Sequence, residues 1–162
     1  MEFQERLQKA IERGSRTRDE RTREKQAKAL SVEELRRLHS EFRLPLSERI
    51  EFCLKQLAAQ FPGFEYAGVL DDERGWGGSI SRDDVEITRA HGRRKLFSRL
   101  EMTVRPFGSH HVLDLAAKGT VRNKEIFNRN HFQRLTEVDL DSFMEMIDIW
   151  SLEYAELYAA KG

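Results

Sequence analysis

The chain has 162 residues, 39% of them apolar and 35% charged, with 28 basic and 28 acidic side chains in balance. That length suits one ordinary domain with an extension and allows a core without disulfides. The apolar content excludes a disordered polymer, no run approaches the roughly 20 apolar residues of a membrane span, and neutrality argues against a globally basic nucleic-acid binder.

Charge is nevertheless segregated along the chain. Residues 1–62 carry 14 Lys/Arg and 11 Asp/Glu, 63–88 carry 2 and 7, 89–134 carry 11 and 3, and 135–162 carry 1 and 7. The first stretch places Phe3, Leu7, Ala10 and Ile11 at helical spacing, but Glu12–Gln26 has no large apolar residue. Residues 1–30 are therefore expected to be a charged, partly disordered extension, and 31–162 a single domain.

Ser31 and Glu34 form a capping-box pattern, with Leu30 and Leu35 as a hydrophobic staple. The helix this predicts, through Leu38 and Phe42, ends before Pro45. Ser47 then caps a second helix with a stripe of Leu46, Ile50, Cys53, Leu54, Leu57 and Phe61. Cys53 is the only cysteine, so no internal disulfide can form. Its place in the stripe reads as a buried, inert thiol, and a start without a signal-peptide pattern completes the expectation of a cytoplasmic protein.

Phe64–Leu70 reads as a first strand, followed by the acidic turn at Asp71–Gly75 and by Trp76-Gly77-Gly78. In Ser79–Arg89 the parity changes between Ile80 and Val85, and a bulge near Arg82–Asp84 would restore one buried face. Arg94–Val121 then alternates cleanly. Leu96, Leu100, Met102 and Val104, with Leu113, Leu115, Ala117 and Val121, make the inner face of an antiparallel hairpin. Ser98 is the exception on that face, and Lys95, Arg99, Arg105 and Lys118 point away. The segment 121–135 reads either as a fifth strand or as an ordered loop. A final helix, capped by Thr136 or Asp139 and running to about Ala159, sets Leu140, Phe143, Met144, Ile147, Trp150, Tyr154 and Tyr158 on one face. Ile149 and Leu152 fall on its opposite, acidic side and call for a second neighbour.

The expected fold is α+β: an antiparallel sheet of four to five strands, with N-terminal helices and a long C-terminal helix packed on one face. No motif names an enzyme, and neither metal nor cofactor is expected. His110 and His111 are adjacent in a strand and point apart, so with His91 or His131 they lack ligand spacing. The acidic residues 71–73 and 83–84 suit turns, and Gly75–Gly78 lacks the order of a phosphate-binding loop.

Three functions remain. The first is a non-enzymatic, self-associating protein-interaction or regulatory module, a candidate homodimer, with Ile149 and Leu152 at the interface and the basic segment facing an acidic partner surface. The second is RNA or single-stranded DNA binding through a basic patch, with Phe97 among Lys95, Arg99, Arg105, Lys118, Arg122, Asn128, Arg129 and His131. The third is a small-molecule pocket lined by Trp150, Tyr154 and Trp76.

Overall fold

The computed structural model describes residues 2–90 and 92–161, and the side chains of all of these but 27–30. Helix α1 spans Phe3–Gln60. Five strands follow, β1 (Glu65–Asp71), β2 (Gly75–Thr88), β3 (Gly92–Val104), β4 (Val112–Val121) and β5 (Lys124–Arg134), then a 3-10 turn at Leu135–Glu137 and helix α2 (Leu140–Lys161). The strands form one antiparallel meander in chain order, and the fold is α+β. The chain divides into two compact units, Met1–Arg37 and Leu38–Gly162. In the first, the described side chains up to residue 26 are exposed apart from a half-buried Ser15.

In the second unit, α2 and the α1 residues from Leu38 onward cover one face of the sheet. The Tyr154 hydroxyl donates to the Thr120 carbonyl (2.9 Å), Ser151 lies against Met102, and His39 Nε2 donates to the Arg105 carbonyl (2.9 Å). Between these layers Leu46, Ile50 and Leu54 of α1, Phe143, Ile147, Trp150 and Tyr154 of α2, and Ile80, Leu100, Met102, Leu113 and Leu115 of the sheet are fully buried. Each such side chain contributes about 1.5–3 kcal/mol relative to exposure.

Four local expectations need correction. Ser31 lies inside α1 and begins no new helix; the side chain of Leu30, its staple partner, is outside those described. Pro45 also lies inside α1. Its ring removes one N–H from the ladder, a cost of about 3 kcal/mol in a helix interior, but the fully buried Leu46 and Ile50 fix the following turn against the sheet. Ser47 donates back to the Arg43 carbonyl (2.5 Å) rather than capping a second helix.

β2 pairs with β3 without a break from Trp76 to Thr88, so there is no bulge at Arg82–Asp84. The parity change is real, and Val85 and Ile87 stand exposed on the face away from the helices. Arg82 explains the switch, because its guanidinium binds Asp84 (2.9 Å) and the Pro62 carbonyl, a polar clamp that occupies the helix side of β2. Trp76-Gly77-Gly78, after the acidic turn, opens β2. A Cβ at Gly77 would lie 2.0 Å from the Met102 carbonyl oxygen, and Gly75 adopts φ +113°, so β3 approaches where no larger side chain fits.

The segment after Val121 resolves as β5. Arg122 and Asn123, at φ 48° and 69°, make the two-residue turn into it. This turn docks on β3 beyond the end of the β3–β4 ladder. Asn123 Oδ1 accepts from Phe97 N (2.8 Å), its Nδ2 donates to the Lys95 carbonyl (2.8 Å), and Arg122 N donates to Ser98 Oγ (3.0 Å). The inward serine of β3 is thus a backbone acceptor.

Candidate functional site

Strand register divides the expected basic set between two faces. Arg99 pairs across the sheet with Thr120, Lys118 with Asn128, and Glu101 with both Ser79 and Lys118. With the period of two along each strand, Lys95, Arg99, Arg105, Lys118 and Asn128 fall on the face away from the helices. Arg129 and His131 fall on the covered face. Arg129 makes a bidentate pair with Glu153 of α2 (2.5 and 3.0 Å), and His131 packs edge-on against Phe143 at 4.5 Å. Arg122 sits in the β4–β5 turn. The eight residues therefore do not converge on one site.

The open face is less basic than its sequence. Arg99 and Arg74 both bind the Glu101 carboxylate, and Arg105 lies 3.7 Å from Asp114. Lys95 and Lys118 have no carboxylate within ion-pair distance among the described residues. Exposed aromatic rings accompany them: Phe97 on β3 and Phe132 on β5.

A different feature lies on the outer side of the helical layer. A groove of about 480 Å³ runs between α1 and α2, lined on α1 by Arg49, Phe52, Cys53, Gln56 and Gln60, just past its end by Phe61, and on α2 by Asp148, Ser151, Leu152 and Ala155. Helical spacing makes it, since Arg49, Phe52, Cys53 and Gln56 recur at intervals of three and four on α1, as do Asp148, Ser151, Leu152 and Ala155 on α2. At one end Arg49 and Asp148 form a two-point pair (2.8 and 2.9 Å) that ties the helices together. Its hydrogen bonds hold the Asp148 carboxyl below its usual range.

The Cys53 thiol donates to the same carboxylate at 3.4 Å. Burial first, and then Asp148, push its pKa up, which favours the thiol over the nucleophilic thiolate. The lips of the groove are apolar. Phe52 is 51% exposed and Leu152 70%, and Ile149, 44% exposed, stands one turn before Leu152 on α2. The sequence marked Ile149 and Leu152; it missed Phe52 and Arg49, whose signal was an aromatic just outside the α1 core stripe and a cation one turn before Cys53.

The remaining candidates hold no convergent chemistry. Trp150 and Tyr154 are buried in the core, and Trp76 lies under the Arg43 guanidinium at 4.1 Å. His111 stacks on Phe107 at 5.5 Å, His110 is exposed, and His91 is outside the described residues. Asp71 Oδ1 accepts from the backbone of Glu73, as a turn aspartate does. Among the described residues no three His, Cys, Asp or Glu side chains are placed to hold a metal ion, and no helix is long and apolar enough to cross a membrane. Comparison with known family models, with curated proteins and with solved structures found no match to this chain.

Proposed function

We propose that the protein is a small, non-enzymatic interaction module that acts in the cytoplasm and associates with copies of itself through the outer side of its helical layer. The observation that supports this most is the groove between α1 and α2, with Phe52 and Leu152 on its lips and Ile149 beside it. Large apolar side chains clustered on a polar protein mark surfaces whose burial is favourable. Catalysis, by contrast, needs a nucleophile or an acid–base pair, and in the groove the Asp148 carboxylate is engaged by Arg49 and by the Cys53 thiol.

The test is molar mass by light scattering over a range of concentrations. A dimer or larger species is expected, and Leu152→Glu should shift it toward monomer by placing a charge on the lip. A wild-type chain that stays monomeric at high concentration removes the proposal.

A second reading keeps the open sheet face as a binding surface for RNA or single-stranded DNA. It draws on Lys95 and Lys118, which have no carboxylate partner among the described residues, beside the exposed rings of Phe97 and Phe132, an arrangement able to hold phosphates and stack bases. Single-stranded RNA should then bind with an affinity that falls as salt rises. Absence of binding to RNA and to heparin even at low salt would eliminate this reading.

A further inference from the structure

We propose that the groove between α1 and α2 receives the N-terminal end of α1, Phe3–Arg16, from a second copy of the chain. This deepens the self-association reading and rests on it, adding which segment fills the groove.

The donor segment has the pattern that a helix-binding groove requires. Phe3, Leu7 and Ile11 recur every four residues, with Ala10 and Gly14 beside them, and form one stripe along the helix. These three large side chains are 74%, 47% and 55% exposed. Tertiary burial of an apolar stripe supplies most of the stability of an ordinary protein helix, and this stripe is unburied in the single chain.

Length agrees. At 1.5 Å per residue the stripe from Phe3 to Ile11 is about 12 Å long. The groove wall on α2, from Asp148 to Ala155, is about 10 Å long by the same rise, and the α1 wall is longer. Three apolar side chains one turn apart are therefore comparable in length to the groove, slightly longer than its α2 wall and shorter than its α1 wall. The docking mode is that of an amphipathic helix laid in an apolar groove, read at i, i+4 and i+8.

Charge chooses this occupant over another apolar segment. Within Phe3–Arg18 there are five basic residues and two acidic ones, and Arg6, Lys9, Arg13 and Arg16 form a second stripe along the helix. α2 carries five acidic residues and one basic, Lys161. Glu145, Asp148 and Glu156 lie at −7, −4 and +4 from Leu152, on the groove side of the helix. Asp148 is engaged by Arg49, while Glu145 and Glu156 are exposed. The basic stripe lies about 140° round the helix from the apolar one, so it borders the contact rather than entering the groove, and the opposed net charges of helix and groove act on encounter rate and orientation more than on the seated contact. Pairing two α2 faces directly would instead oppose like charges.

The experiment uses full-length chains altered on one side of the contact at a time. Leu7→Glu with Ile11→Glu disables the donor stripe, and Leu152→Glu disables the acceptor. All three positions are exposed, so helix content and melting temperature should match the wild type. Each variant alone should associate at least tenfold more weakly than the wild type. An equimolar mixture should recover a one-to-one complex, since it still contains one intact stripe and one intact groove. Association should weaken as salt is raised from about 0.05 to about 0.5 M, where the Debye length shortens severalfold.

If the donor variant associates as tightly as the wild type while Leu152→Glu does not, the groove takes another surface; this inference fails and self-association stands. If both variants are weak and the mixture stays monomeric, transfer of the segment between copies is excluded. If the wild type is itself monomeric, both proposals fall.

Discussion

Asn123 carries more of the architecture than its exposed position suggests. It sits at φ 69°, closes the ladder gap beside β3 through Phe97 and Lys95, and starts β5. Asn123→Ala should cost about 1–2 kcal/mol, from two lost hydrogen bonds and a left-handed backbone that alanine disfavours. Asn123→Gly should cost less, because it keeps the backbone freedom; chemical denaturation of both variants checks the order.

His39 makes a different prediction. Burial is the dominant influence on its ring and lowers its pKa, outweighing the bond to the Arg105 carbonyl. The neutral form is therefore favoured when folded, and above pH of about 6.5 this histidine costs nothing. As pH falls below that value the unfolded chain takes up a proton before the folded one does, so stability drops until the folded pKa has been passed. Melting temperature should fall between pH 7.5 and 5, and the fall should be smaller in His39→Gln; equal slopes in both proteins would contradict the assignment.

At the scale of elements, α1 and β2 each depart from what their local residues prescribe. Pro45 is a helix breaker by every local rule, yet it lies within α1 because residues on both sides of it are held by the core, including buried His39 and fully buried Leu46. Tertiary packing outweighs a local penalty of about 3 kcal/mol when the flanking turns are anchored. Pro45→Ala should accordingly raise stability by about 1–3 kcal/mol with no change in helix boundaries, a gain readable in a urea titration. In β2 the local preference to bury Val85 and Ile87 loses to an unbroken ladder with β3. Restoring their burial would need a bulge, which gives up ladder hydrogen bonds and displaces the Arg82–Asp84 clamp.

For the second unit, the decisive fact is that α2 and the α1 residues from Leu38 onward both lie on one face of the sheet. This leaves an open sheet face on one side and a helix-pair groove on the other, and each carries its own test: polyanion binding for the first, molar mass and complementation for the second. Arg129–Glu153 joins the basic and acidic segments of the sequence across the sheet–helix boundary. The pair is partly exposed, so Arg129→Ala should cost no more than about 1 kcal/mol. It removes Arg129 from any open-face surface, so that substitution should leave polyanion binding unchanged while Lys118→Glu reduces it.

The α+β fold, the strand alternation of 94–121 and the core stripe of α2 were legible in the sequence because each follows from the period of a single element. Leu100, Met102 and Val104, like Phe143, Ile147 and Trp150, are buried as their spacing requires. The outward position of Ile149 and Leu152 was legible for the same reason. What surrounds those positions was not. That Arg129 faces Glu153, that Ser98 receives the β4–β5 turn, that Pro45 is carried through a helix and that Phe52 stands across from Leu152 all depend on residues distant in the chain becoming neighbours. Periodicity assigns a side chain to a face; only the packing of elements supplies what that face meets, and the energies of burial and pairing belong to that meeting.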